Sequence, residues 1–395
     1  MTKKIGLFLN SHPSQGGAFQ YSQSVLGALA ALPDSDYEKL VVYTRDEWFG
    51  YLRPYNVGSL HVPLGIWQSL HGKLASSFLP VELWRSRLSR LHRVAQVLKR
   101  QMCDLWVFPA QDTWSYLMPV HALGTIHDLM HRYEKRFPEV GREYRIREKH
   151  YRNMCRWCRG VLVDSRVGKE HVMESYGLDQ RRIHVLPFVA PAYICSGGED
   201  PGFCRRYRLP RKFIFYPAQY WEHKNHKGLV LAAARLKEAV PDLKVVFVGF
   251  RKNGYASTWK LIQELGLRDR FFYFDYVPES DMVGFYRRAR AMVMPTFFGP
   301  TNIPPLEAMA LGTPMAVSAV YGMEEQLGDA ALYFDPSSVD AIAEALRLLW
   351  TDDRLCRDLS ARSLARASQW GPLHFNQRFQ NIIEDTLVPE GNGRY

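Results

Sequence analysis

Residues 299 to 314 read GPTNIPPLEAMALGTP: small and polar side chains, four prolines of which two are adjacent, and one carboxylate where a loop meets a helix. Pro304 and Pro305 suit only the opening of a helix, where missing N–H donors cost nothing, and Gly312 with Pro314 ends it. The preceding RARAMVMPT is a compact apolar run that suits a strand buried on both faces. A strand, a loop and a helix start in that order aim unpaired backbone N–H groups and the positive end of a helix dipole at one point. That favours an anion, phosphate being the natural one, without any basic side chain. Glu307, read as a first-turn residue, either serves the dipole or accepts hydrogen bonds from a polyol such as ribose; the residues alone leave both open.

Other places carry chemistry of the same kind. NSHPSQGGAFQYSQSVLGAL follows the first apolar run, and Gly16 with Gly17 stands where a loop must turn into a helix, so that backbone amides can approach a phosphate. A plain turn explains the pair equally well, because the full G-x-G-x-x-G is lacking. In YPAQYWEHKNHKG, Lys224 is the one cation suited to reach a diphosphate. GTIHDLMH sets His127 and Asp128 directly after another apolar run, at the same sheet end as the Gly16 loop, where His127 can face a ligand. A zinc reading takes His127 and His131 as i, i+4 ligands. It needs both within one helix, and Asp128 in place of the H-E-x-x-H glutamate removes the base. Asp34 and Asp36 mimic a metal-holding D-x-D, but the LP before them marks a turn. Cys155 and Cys158, in CRWC, have neither a redox-motif context nor a second ligand pair, which leaves ordinary packing.

The elements that must position these residues follow a regular rhythm. KIGLFL, KLVVY, DLWVF, LGTIH, GVLVD and IHVLP in the first half, then KFIFYP, LKVVFVG, FFYFD, AMVMP, TPMAVS and AALYFD in the second, alternate with helical stretches. That alternation predicts α/β architecture: two doubly wound, Rossmann-like domains with parallel sheets covered on both faces. A chain of 395 residues suits two domains. The boundaries expected are 1–190 for the first domain, 191–211 for a Gly-, Pro- and charge-rich linker, 212–370 for the second, and 371–395 for a terminal helix and tail folding back onto the first. Two such domains facing one another would make a deep cleft at the C-terminal ends of both sheets.

Composition narrows the classes. The chain is 47% apolar and 13% aromatic, as a folded protein is. It has no apolar run long enough for a membrane span or a signal-peptide core, so a cytoplasmic location is expected. Cysteines at 103, 155, 158, 195, 204 and 356 show no disulfide-framework spacing. The net charge of +11 is concentrated at WRSRLSRLHRVAQVLKR, 84 to 100, and REYRIREKHYRNMCRWCR, 142 to 159. In the first, Trp84, Leu88, Leu91, Ala95 and Leu98 recur at helical spacing, which predicts a basic amphipathic helix. Such a helix is either a solvated face over a core or a peripheral contact with an anionic membrane. No nucleic-acid-binding motif accompanies the charge.

A GG loop after the first strand, a strand-terminal His inside the first domain, a strand, loop and Lys opening the second, and P-x-L-E-A-M-A-x-G-x-P together resemble glycosyltransferase family 4, the retaining group 1 enzymes of GT-B fold. The resemblance covers nearly the whole chain and is most specific over VPESDMVGFYRRARAMVMPTFFGPTNIPPLEAMALGTPMAVS, 277 to 318. It implies that Glu307 holds ribose hydroxyls, and that amides around Thr301, Asn302 and Ile303 meet the diphosphate and the transferred sugar. Lys224 then neutralises the leaving diphosphate, Gly16 and Gly17 touch it from the first domain, His127 lies against the donor hexose, and Tyr276 and Val277, in FDYVPES, hold the base. Two positions depart from the pattern. Gln219 stands where an arginine is usual five positions before the lysine, leaving Arg251 or His223 to compensate. Gly299 replaces the first glutamate of E-x7-E, which weakens a covalent glycosyl-enzyme scheme at that position.

The activity implied is retaining, metal-independent hexosyl transfer from a nucleoside diphosphate sugar, a UDP-hexose before GDP-mannose. The acceptor would be a hydroxyl of a saccharide or lipid-linked saccharide in bacterial polysaccharide biosynthesis. No metal or other cofactor is implied. Two other readings stay open: a sugar-nucleotide epimerase of the same architecture, and a non-catalytic sugar-nucleotide-binding protein.

Overall fold

The computed structural model describes residues 2–65, 80–196 and 202–388. Two compact units divide the chain: unit 1 is Met1–Tyr133, Arg142–Val189 and Pro372–Tyr395, and unit 2 is Glu134–Gly141 and Ala190–Gly371.

Unit 1 is built on strands β1 (Lys3–Leu9), β2 (Tyr37–Tyr43), β3 (Gly58–His61), β4 (Leu105–Val107), β5 (Ala122–Thr125), β6 (Gly160–Val163) and β7 (Ile183–Val185). They pair in parallel in the order β3-β2-β1-β4-β5-β6-β7. Ile5, Leu7, Phe8 and Leu9 are all buried, so β1 is covered on both faces, as its unbroken apolar run requires. The strand β3 was not expected. Its GSLH is exposed throughout and pairs only with β2, and an edge strand needs no apolar run. The helix Pro372–Leu387 belongs to this unit, where its Phe375 meets Tyr21 of the helix Gly17–Ala30 at 6.3 Å.

Unit 2 repeats the plan with β8 (Ile214–Pro217), β9 (Val245–Val248), β10 (Phe271–Phe274), β11 (Ala291–Met294), β12 (Met315–Ser318) and β13 (Leu332–Phe334), all parallel, in the order β10-β9-β8-β11-β12-β13. The direction of winding therefore reverses between β1 and β4 in one unit and between β8 and β11 in the other. In doubly wound sheets ligands bind beyond the carboxyl ends of the strands at such a point.

Two local expectations change. The stretch 191–211 carries the helices Ala192–Ser196 and Phe203–Tyr207 and lies in unit 2; residues 197–201, and the tail from 389, fall outside the described residues. Phe203 orders the second helix: its ring meets Phe285 at 5.0 Å and fills the space that a side chain at Gly284 would take.

The single basic helix expected over 84–100 is three pieces: Val81–Ser86, a 3-10 turn Leu88–Leu91, and Arg93–Arg100. His92, with extended backbone at φ −97° and ψ 120°, breaks the run. Trp84, Ala95 and Leu98 are buried, but Leu91 is 80% exposed. Arg85 does not face solvent with the others. Its guanidinium donates to the carbonyls of Tyr116 at 2.8 Å and of Met118, over the Trp157 ring at 5.1 Å. The continuous basic face that a membrane contact would use is not formed. No helix among the described residues is long and apolar enough to cross a membrane.

Candidate functional site

In unit 2, two loops leave the sheet on either side of the β8–β11 switch point. After β8 the chain passes Gln219 into a 3-10 turn, Glu222–Lys224, and then into the helix His226–Arg235. Asn225 makes the change of direction at φ 55°, its side chain accepting from Gly228 N at 3.1 Å and donating to the Pro336 carbonyl at 2.9 Å. After β11, residues 295–301 lead to the helix Ile303–Ala310, whose N-cap is Asn302. An N-cap asparagine ordinarily accepts from its own helix. Here the side chain makes no capping bond, and its Oδ1 accepts from the Lys224 ammonium at 3.2 Å. Gln326 fixes the loop by accepting from Asn302 N at 3.2 Å and donating to the Asn302 carbonyl at 2.8 Å. A cation thus stands beside a helix start whose N-cap side chain is turned away, an arrangement suited to an anion. Thr301 and Asn302 are buried there, and Ile303 opens the helix. Gly299 has φ 144°, and a Cβ on it would lie 2.6 Å from the Asn302 side-chain nitrogen.

Glu307 sits in the second helical turn, not the first, so the dipole reading loses its geometry. It is 3% exposed. The Tyr193 hydroxyl donates to one carboxyl oxygen and the Tyr286 hydroxyl to the other, while Tyr286 also reaches the Pro304 carbonyl at 3.3 Å. Burial raises the Glu307 pKa above the ordinary carboxyl value; the two tyrosine hydrogen bonds oppose that rise, and the nearby charge of Glu279 adds to it.

The remaining candidates of unit 2 lie along the ends of β8, β9 and β10. Gln219 Oε1 accepts from the Trp221 indole at 3.2 Å. Arg251 lies 4.6 Å over the Tyr255 ring and 5.5 Å over the Tyr273 ring, and its hydrogen bond with Tyr273 raises its pKa further. Tyr276 is 66% exposed and stacks on Phe250, whereas Val277 is buried. Unit 2 also takes in the strip Glu134–Gly141. Its Glu139 accepts from His223 N at 3.3 Å and lies 3.2 Å from His223 Nδ1; Tyr321 donates to Glu134 at 2.9 Å, and Arg136 covers the Phe297 ring at 4.5 Å. Burial alone would raise the Glu139 pKa, but the contacts with His223 prevail and hold it down to about 2.

In unit 1, Gly16 at φ 58° ends the 3-10 turn Pro13–Gln15 and opens the helix Gly17–Ala30 with no side-chain cap. Tyr21 of that helix meets His127 edge-on at 5.1 Å, so the glycine loop and His127 share one helix. Gln111 holds the His127 loop, accepting from the N–H groups of His127 at 2.5 Å and Asp128 at 3.2 Å. Burial pushes the His127 pKa down to about 4, leaving the ring neutral near pH 7; it bonds the Pro109 carbonyl, and its Nε2 is buried with no hydrogen-bond partner. His131 is engaged elsewhere, 3.3 Å from Glu148 Oε2 and 3.2 Å from the Tyr176 hydroxyl, and among the described residues no group of three His, Cys, Asp or Glu could hold a metal ion. Asp36 N donates to the Pro33 carbonyl at 3.1 Å, making the turn expected of DSD. Cys155 and Cys158 are buried, and burial pushes both thiols up to about 12.

Tyr193, Tyr286, Glu139 and Gln326 escaped the sequence reading. Tyr286 lies inside the 277–318 stretch but reads there as one more aromatic on an amphipathic helix. Glu139 meets His223 across 84 positions, for which a single sequence carries no signal.

Residues 206–366 match the sequence model of the family described as glycosyl transferases group 1. The O-antigen chain mannosyltransferase B of Escherichia coli is 33% identical over 220 residues, 53% of this chain and 56% of that one. The D-inositol 3-phosphate glycosyltransferase of Corynebacterium glutamicum is 29% identical over 53% of this chain and 54% of its own. The chain thus spans about half the length of the curated relatives it matches. Among solved structures, a glycosyltransferase from Rickettsia africae superposes with a TM-score of 0.74 at 15% identity, over 98% of this chain and 100% of that one. Anabaena HepE in complex with UDP and glucose gives 0.71 at 16% identity, over 97% and 99%. Identities this low bear on the fold alone, and the fold is that of the GT-B glycosyltransferases. Within it, residues 206–366 form a group 1 glycosyltransferase domain.

Proposed function

We propose that the protein transfers a hexosyl group, with retention and without a metal, from a nucleoside diphosphate sugar to a hydroxyl of a saccharide or lipid-linked saccharide. The observation that carries this reading is the Lys224 ammonium on Asn302 Oδ1 beside the uncapped start of the helix Ile303–Ala310, at the β8–β11 switch point. In this reading the diphosphate lies there. The bond from hexose C1 to the phosphate oxygen breaks, its electron pair leaves with the diphosphate, and Lys224 with the amides of Thr301 and Ile303 offsets the growing charge, the Asn302 amide being held by Gln326. Glu307 accepts from the ribose hydroxyls, and Tyr276 and Val277 flank the base. In unit 1 the Gly16 N–H is taken by the Pro13 carbonyl at 3.2 Å, and the neutral His127 keeps a buried Nε2 without a hydrogen-bond partner. Gly299 supplies no nucleophile, so the acceptor oxygen forms its bond to C1 on the face that the diphosphate leaves. A phosphate oxygen takes the acceptor proton.

The mannosyltransferase among the relatives favours mannose, and the UDP complex among the neighbours keeps UDP-hexoses in view. The test is a thermal-shift and nucleotide-release screen with UDP-glucose, UDP-galactose, UDP-N-acetylglucosamine and GDP-mannose in the presence of EDTA. Stabilisation by one donor, with slow release that a saccharide acceptor accelerates, is the expected result. Isomerisation or hydrolysis without any need of acceptor would instead make the protein an epimerase or hydrolase, binding without turnover would make it a sugar-nucleotide-binding protein, and loss of turnover in EDTA would refute metal independence.

A further inference from the structure

We infer that His223 is a second cationic residue of the diphosphate site, and that Glu139, brought in on the strip Glu134–Gly141, is the residue that positions it and keeps its proton. The inference rests on the donor reading above and deepens it. A leaving nucleoside diphosphate carries more charge than one ammonium offsets, and Gln219, turned to the Trp221 indole, contributes none. Arg251 is laid over Tyr255 and Tyr273, and His226 is neutral, burial pushing its pKa down to about 3. His223 immediately precedes Lys224 in the same 3-10 turn. Its carbonyl accepts from Phe297 N at 2.8 Å and from the Thr296 hydroxyl at 3.2 Å, which ties it to the loop after β11 that leads to the helix start.

The charges around His223 are arranged for an imidazolium. From its own turn, Glu222 is committed to Lys227 at 3.3 Å and Lys224 points to Asn302. From the helix that follows comes the neutral His226. From the strip come the Phe137 ring, at 6.2 Å, and Glu139, whose Oε1 takes both His223 N–H and Nδ1. Glu139 side-chain exposure is only 7%, and its Oε2 is buried with no hydrogen-bond partner. A carboxylate so desolvated is costly unless a charge accompanies it, and His223 is the cation that the strip has been brought against. An imidazolium donates from both ring nitrogens, so pairing with Glu139 and binding a phosphate oxygen are compatible.

The test compares the full chain with His223→Gln, His223→Lys and Glu139→Gln. Binding of UDP and GDP is measured by calorimetry, and binding of uridine and guanosine by ligand-observed NMR. His223→Gln and Glu139→Gln should each weaken the bound diphosphate by about ten- to a hundredfold while leaving its nucleoside unchanged. His223→Lys should restore most of the affinity and make it insensitive to Glu139→Gln. If Glu139→Gln does not fold, the pH profile serves instead: wild-type diphosphate affinity should fall, relative to His223→Lys, as pH rises through the imidazole range. Equal losses for diphosphate and nucleoside, no loss in His223→Gln, or failure of the lysine to rescue would each overturn the inference. If the wild type itself binds no nucleoside diphosphate, the donor reading falls and the inference with it; if it binds one and His223→Gln changes nothing, only the inference falls.

Discussion

Replacing Glu307 by glutamine keeps its shape and removes its ionisation. The carboxyl group is buried and accepts from two tyrosine hydroxyls. Glutamine can accept from one of them, but its NH2 faces the other, which must turn its hydroxyl round or lose a partner; one lost hydrogen bond is worth about 1 kcal/mol. Against this runs the cost of the buried charge. The folded-state pKa of Glu307 is raised, so the native protein holds that proton more tightly than the unfolded chain does. The associated stability is complete below the ordinary carboxyl value and is lost as pH rises through the folded pKa, at about 1.4 kcal/mol for each unit of displacement. Urea denaturation of both proteins from about pH 4 to about pH 8 should therefore find Glu307→Gln less stable at the acid end, with the gap narrowing or reversing as pH rises. A stability difference that does not change with pH would refute the argument, because the ionisation would then carry no free energy. In the donor reading the same variant also binds its nucleotide more weakly, by about 1–3 kcal/mol.

Lys224→Met should cost at least tenfold in UDP or GDP affinity, by ~1.5–3 kcal/mol for a charge-assisted hydrogen bond, and equal binding by calorimetry would remove Lys224 from the site. Introducing the missing carboxylate with Gly299→Glu should weaken both fold and nucleotide binding by about 1–3 kcal/mol, since the backbone there is left to glycine and Asn302 fills the Cβ position; a gain in turnover would contradict this. Arg85→Glu should cost more than about 2 kcal/mol of stability because buried carbonyls lose their donor, whereas Arg87→Glu and Arg90→Glu, both exposed, should stay within about 0.5 kcal/mol in the same denaturation assay. Cys155 and Cys158 should resist alkylation in native protein at neutral pH and react on unfolding; rapid native labelling, followed by mass spectrometry, would show them accessible.

All twelve apolar runs became strands, for a reason particular to parallel sheets: a strand covered on both faces is written as continuous hydrophobic sequence. The strand β3 was silent because it is an exposed edge. The basic helix failed where spacing is a poor guide, since apolar residues kept helical intervals through His92 while the backbone there turned extended. At the site, the Lys224 and Asn302 loops lie together because β8 and β11 are neighbours, which strand alternation makes foreseeable. The partners of Glu307 and His223 were not foreseeable. Tyr193 reaches Glu307 across 114 positions from a stretch that reads as linker, and Glu139 is separated from His223 by three strands of the chain.

The strip Glu134–Gly141 also bears on how such a chain can be recombined. The main chain changes unit after Tyr133, Gly141, Val189 and Gly371, so neither unit is a contiguous cassette. A chimaera that joined 190–371 to a foreign first half would keep the whole matched domain, yet would leave His223 without Glu139, Tyr321 without Glu134 and Phe297 without Arg136. Swapping halves would then work only between parents whose eight-residue strips are interchangeable.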